Sequence, residues 1–63
     1  MTEINWEEAF CGGGNNCFRL GTDDNGNSYI AVLGREDRFL TDTHEALRNL
    51  IRDIKAGKAD HLL

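Results

Sequence analysis

Two cysteines, Cys11 and Cys17, bracket three glycines and two asparagines. Residues of these types could bind zinc, close a disulfide or cradle a phosphate. With His44 and His61 the cysteines supply four candidate zinc ligands. Five residues separate the cysteines, whereas structural zinc pairs sit two to four apart. A disulfide is sterically open, because the glycines let the loop close. Nothing in the chain points to export, however, and a reducing compartment favours free thiols over a bridge. A phosphate-binding loop needs spaced glycines followed by Gly-Lys-Ser/Thr, and no Lys or Arg follows these glycines before Arg19. The stretch reads as a connector in which Cys17 opens a strand and Cys11 is free or half-buried. No metal and no cofactor are expected.

The run DDNGNS suggests a calcium loop. Placing Gly26 at the sixth position puts Gly21 at the first and Val32 at the twelfth, where the motif requires acids. Catalysis has equally little support. Ser28 is the one serine, and it falls inside a strand pattern where His44 and His61 are not expected to join it with a carboxylate. Glu7 and Glu8 are adjacent and so do not share one helix face. The chain is expected not to be an enzyme.

The elements that must position these residues are few. Sixty-three residues make one domain with a marginal core, and chains this short usually need a staple or a partner. Asn25-Gly26, between two apolar runs, predicts a two-residue type I′ hairpin. That register faces Thr22 with Tyr29, Leu20 with Ala31 and Phe18 with Leu33; on the other face it pairs Arg19 with Val32 and Gly21 with Ile30. A second turn at 34–37 would pair Ala31 with Leu40 and Val32 with Phe39, less securely. Residues 42–57 read as a helix, with Asp42 or Thr43 as cap, Ala46, Leu47, Leu50, Ile51 and Ile54 as the apolar stripe, and Gly57 as the stop. The expected fold is α+β: a three-stranded antiparallel meander with a C-terminal helix packed on one face. It divides into an N-terminal segment and Gly-rich loop (1–16), meander (17–41), helix (42–57) and a fraying tail (58–63).

In this register the helix covers Phe18, Leu20, Tyr29, Ala31, Leu33 and Leu40. Ile30, Val32 and Phe39 are left bare on the opposite face, where Trp6 and Phe10 could fold back or a second protein could dock. Seven basic against eleven acidic side chains give a net charge of -4, which suits a basic protein surface better than a phosphate backbone. No apolar run spans a membrane, and the first residues lack a signal-peptide pattern, so a cytoplasmic location is expected.

Trp6, GGGNNC (12–17), FRL (18–20), IAVLGRED (30–37) and FLTDTHEAL (39–47) occur in an order that resembles a family of small acidic actinobacterial proteins. It is the domain-of-unknown-function family that includes the developmental protein BldB. The family pattern runs from a Trp through a Ser/Gly-rich stretch to Gly-Asn-Cys-Val-Glu-Val, a Val-x-Val-Arg-Asp-Ser strand and turn, and a final helix. This chain departs from it: Phe18-Arg19 replaces Val-Glu, Leu33-Gly34-Arg35 replaces Arg-Asp-Ser, and Leu47 and Leu50 stand where Trp and Phe are common. The resemblance implies a regulatory role beside a helix-turn-helix transcription regulator in development or secondary metabolism, with self-association in some members. The expected partner-binding residues are Trp6, Phe10, Ile30, Val32 and Phe39. The expected partner is such a regulator, with a homodimer as the alternative and no direct nucleic-acid or membrane contact.

Overall fold

The computed structural model describes residues 3–12 and 17–63. Four strands, β1 (Asn5–Trp6), β2 (Phe18–Thr22), β3 (Asn27–Val32) and β4 (Leu40–Thr43), form one antiparallel sheet in sequential order. Helix α1 (His44–Lys55) follows directly, and a 3-10 turn (Asp60–Leu62) occupies the tail expected to fray. The class is α+β as the sequence predicts, with one strand more. The extra strand is the pair Asn5–Trp6, which joins the sheet beside β2, Asn5 opposite Thr22 and Trp6 opposite Gly21.

The hairpin differs from the expected one by a single residue. Phe18 faces Val32, Leu20 faces Ile30, and Gly21 faces Tyr29. A type I′ turn needs positive φ at both central residues. Gly26 has φ +83°, but among the described residues no non-glycine residue has positive φ, so Asn25 does not supply its half. Asp23 decides the turn instead. Its Oδ1 accepts from the backbone N–H groups of Asn25 (2.8 Å) and Asn27 (3.0 Å), an Asx arrangement that closes a three-residue loop. The Asp23 N–H donates to the Asn27 carbonyl at 3.1 Å, leaving 24–26 as that loop.

The connection to β4 is also longer than expected. It runs over 33–39, and β3 meets β4 with Tyr29 opposite Thr41 and Ile30 opposite Leu40. The combined effect is to turn β3 over relative to its neighbours. Because side chains alternate along a strand, a one-residue slip moves the whole set to the other face. Ile30 and Val32 therefore share the face of Phe18, Leu20 and Leu40. Tyr29 and Ala31 share the face of Arg19 and Gly21.

The helix begins where the hairpin tip holds it. The His44 N–H donates to the Gly26 carbonyl (2.8 Å), and Thr43 Oγ1 accepts from the Ala46 N–H (3.2 Å). Thr43 is thus the N-cap, worth about 1 kcal/mol in typical helices. The Asp42–Glu45 capping box does not form, since Asp42 turns its Oδ1 to the N–H of Thr43 (2.7 Å). At the other end Gly57 takes φ +90°, with Lys58 N–H on the Asp53 carbonyl and Gly57 N–H on that of Ile54. These are the two bonds of a Schellman ending, and only glycine meets its left-handed φ without strain.

The core is thin. Cys17, Tyr29, Ala31 and Leu47 are the buried apolar side chains, with Ser28 the buried polar one. The molecule measures 38 × 28 × 16 Å with a radius of gyration of 12.4 Å, where about 11 Å is usual for this length. It exposes 5215 Å², against about 4,100 Å² for a typical monomer of 7.1 kDa.

Candidate functional site

The two faces of the sheet are built differently. One carries an aromatic cluster centred on Tyr29. Trp6 lies over Gly21 and approaches Tyr29 with ring centroids 6.3 Å apart. Phe39 meets Tyr29 edge-on at 5.0 Å. The Arg19 guanidinium sits 5.9 Å from the Trp6 ring, donates to the Glu7 carbonyl (3.0 Å) and pairs with Glu36 (3.0 Å). That pairing holds the Glu36 carboxyl below its ordinary range. Gly21 is what lets Trp6 lie so low, because a Cβ there would stand 2.9 Å from both the Trp6 ring and Ile4 Cγ2.

Tyr29 also ties this face to the hairpin tip. Its hydroxyl donates to Asp23 Oδ2 at 2.5 Å. The bond from Tyr29 is the main reason that Asp23 titrates below the usual carboxylate range, helped by the backbone donors of Asn27 and Asn25. Asp23 in turn pushes the Tyr29 phenol up. The signs give two flanks. A depressed carboxyl pKa stabilises the fold above the unfolded value of about 3.9 and loses that contribution as pH falls through the folded value. A raised phenol pKa stabilises below about 10 and is lost as pH rises through its folded value. Thermal melts across pH should therefore show an alkaline flank that Tyr29→Phe removes. An Asp23 carboxyl titrating at its ordinary value by NMR would contradict the contact.

The opposite face carries the helix but is only partly covered. Ala46, Leu47 and Leu50 face Ser28, Ile30 and Leu40 across a cleft of about 270 Å³. Ser28 Oγ and His44 Nδ1 are 2.9 Å apart at one end of it. A serine beside a histidine is the beginning of a nucleophilic pair. Here no carboxylate is hydrogen-bonded to His44 among the described residues, and Ser28 is 4% exposed. The bond fastens the first turn of α1 to β3. Sequence spacing alone hid it, since the two residues meet only because β4 returns antiparallel to β3 and the helix starts at its end.

Beyond the cleft the apolar surface continues in two directions. Along the helix it runs through Leu50, Ile51 and Ile54, which are 43–50% exposed. On the sheet it passes Leu20 and Val32 to Phe18, with Phe10 bridged directly opposite Phe18. Phe10 and Phe18 are each more than three-fifths exposed.

The five expected contact residues are thus divided. Phe10, Ile30 and Val32 lie on the helix side. Trp6 and Phe39 lie on the aromatic side, packed within the chain. A bare face made of Ile30, Val32, Phe39, Trp6 and Phe10 together does not exist, because the expected register placed β3 the wrong way up. The spacing of the helix stripe predicts Ile51 and Ile54 in the core, yet they remain 44% and 50% exposed.

The cysteines also depart from expectation. Cys11 and Cys17 form a disulfide, with Cα atoms 4.6 Å apart. Neither is a free thiol, and neither is available as a zinc ligand in this state. The connector reading falls on 13–16, outside the described residues. Among the described residues no three His, Cys, Asp or Glu side chains cluster as metal ligands, and no helix is long and apolar enough to cross a membrane. Compared with protein-family models, with curated proteins and with solved structures, the chain has no match.

Proposed function

We propose that the chain is a non-enzymatic regulatory module that docks on a helix-turn-helix transcription regulator and modulates its activity in development or secondary metabolism. The observation that carries this reading is the unfinished apolar face. Among the described residues four apolar side chains are buried, whereas Phe10, Phe18, Leu40, Leu50, Ile51 and Ile54 are each at least 43% exposed. The surplus apolar side chains are grouped: Leu50, Ile51 and Ile54 on the helix, with Phe10 and Phe18 on the same side of the sheet. Grouped exposed apolar residues of this kind mark interaction surfaces.

The net charge of -4 favours a basic partner surface, which a DNA-binding regulator carries beside its DNA contact. Glu3, Glu7, Glu8 and Asp24 are exposed and free to steer such a partner, whereas Asp23 is occupied by its own hairpin. The choice of a helix-turn-helix protein, and of an actinobacterial setting, rests on the resemblance to the BldB-containing family. The second reading is self-association, favoured because helix and sheet present their apolar residues on one side, where two copies could bury each other. Tagged protein isolated from its source separates the two readings. A stoichiometric helix-turn-helix companion supports the first, and recovery of the chain alone supports the second.

A further inference from the structure

We infer that Cys11–Cys17 is a thiol–disulfide exchange site that latches the N-terminal arm onto the sheet, and that a dithiol reductant opens the latch. The inference stands on the arm's geometry and does not depend on the partner reading. Apart from the bridge, the arm's backbone pairing to the sheet is short. Its strand β1 has two residues, and beyond it, among the described residues, the Glu7 and Phe10 N–H groups continue the pairing, each 2.8 Å from the carbonyls of Leu20 and Phe18, while the Arg19 side chain adds a bond to the Glu7 carbonyl (3.0 Å). A two-residue strand has little stability of its own. Yet this arm covers one edge of the sheet and carries Trp6 onto Gly21 and Tyr29. The disulfide ties its far end to the residue that precedes β2.

The two sulfurs are unequally placed. Cys17 is 3% exposed, whereas Cys11 is half-buried. A thiolate of the reductant therefore attacks Cys11 Sγ, forming a mixed disulfide, and Cys17 leaves as thiolate and takes up a proton. The second thiol of the reductant then attacks its own sulfur in that mixed disulfide. Cys11 is released as a thiol and the reductant departs as a disulfide. Two electrons and two protons pass from the dithiol to the cysteine pair. The reverse exchange, with an oxidised dithiol, closes the latch.

Opening uncovers the outer edge of β2, a row of backbone groups able to pair with another strand, and frees Trp6. Disulfides in reducing compartments are characteristically transient and redox-sensing, which fits a bridge that secures an arm carrying both Trp6 and Phe10.

The test is amide hydrogen exchange on the whole chain, oxidised and then reduced, with Cys11→Ser as a second route to the open form. A bridge closing a loop of this length shifts the opening equilibrium by on the order of 50-fold. Glu7 and Phe10 amides should exchange about that much faster after reduction, while the amides of α1 keep their protection. Three results would each overturn the inference. One is a bridge that stays closed, with no thiol to block, after the folded protein is treated with a dithiol reductant. Another is unchanged exchange at Glu7 and Phe10. The third is an equal acceleration throughout, which would make the bridge a global staple. Circular dichroism of the reduced protein and of Cys11→Ser distinguishes that third case from local opening.

Discussion

Ile54→Asp is expected to abolish association while leaving the monomer folded. Ile54 is half exposed, lies in the last turn of α1 and contributes nothing to the buried set of Cys17, Tyr29, Ala31 and Leu47. Replacing it removes apolar surface that already faces water, so the cost within the chain is small. The helix ending is held by the Gly57 and Lys58 backbone bonds, which do not involve the side chain. At an interface the same change is severe. A carboxylate would be carried into an apolar contact with no donor to meet it, and desolvating an unpaired charge costs far more than losing a methyl group. Truncation of a central residue alone costs 2 kcal/mol or more at a hot spot, about 30-fold in affinity. Sedimentation or native mass measurements should show the complex lost and the far-UV spectrum kept. Retention of the companion by a folded Ile54→Asp protein would take α1 out of the contact. Phe39→Asp is a poorer probe, because Phe39 packs on Tyr29 and its loss would disturb the fold as well.

The second large effect concerns Gly21, and its sign is the test. Glycine inside a strand usually costs about 0.5–1 kcal/mol relative to alanine, so Gly21→Ala would ordinarily stabilise. Here the new Cβ would meet Ile4 Cγ2 and the Trp6 ring at 2.9 Å. The Trp6 ring cannot retreat without leaving its place, because it is flanked by Arg19 and Tyr29. Overpacking of this kind costs about 1–3 kcal/mol, a large share of the few kcal/mol expected for so small a domain. Urea unfolding should give a lower midpoint for Gly21→Ala and lower still for Gly21→Val, with Trp6 emission shifted towards that of a solvated indole. A more stable Gly21→Ala protein would mean that the arm does not lie on the sheet.

Parts of this architecture can be read from residue types because the local and tertiary signals agree. Helix α1 has a periodic stripe, a threonine at its start and a glycine just past its end, and each feature acts locally. The β3 register cannot be read the same way. Its sequence YIAVL is apolar on both faces, so alternation does not distinguish the two registers. Only the turn chemistry does, and there Asp23 outweighs Asn25-Gly26. The signal was present as Asp23 two residues before Asn25, the spacing of an Asx turn. Tyr29 then adds a long-range bond to that aspartate. The β1 strand gave no pattern of its own, since two residues cannot show a period. Its position depends on Gly21 and on the bridge between Cys11 and Cys17, contacts distant in sequence or dependent on redox state. The division of Trp6 and Phe39 from Ile30 and Val32 follows from the same one-residue slip.

What unites the surface features is an apolar side of sheet and helix that stays exposed to solvent. The most direct measurement is the native mass of the assembly isolated intact from its source. The predicted result is a discrete complex with a stoichiometric helix-turn-helix protein, whose dissociation returns the Leu50, Ile51 and Ile54 side chains to solvent. A 7.1 kDa monomer at every concentration, with no companion, would contradict it.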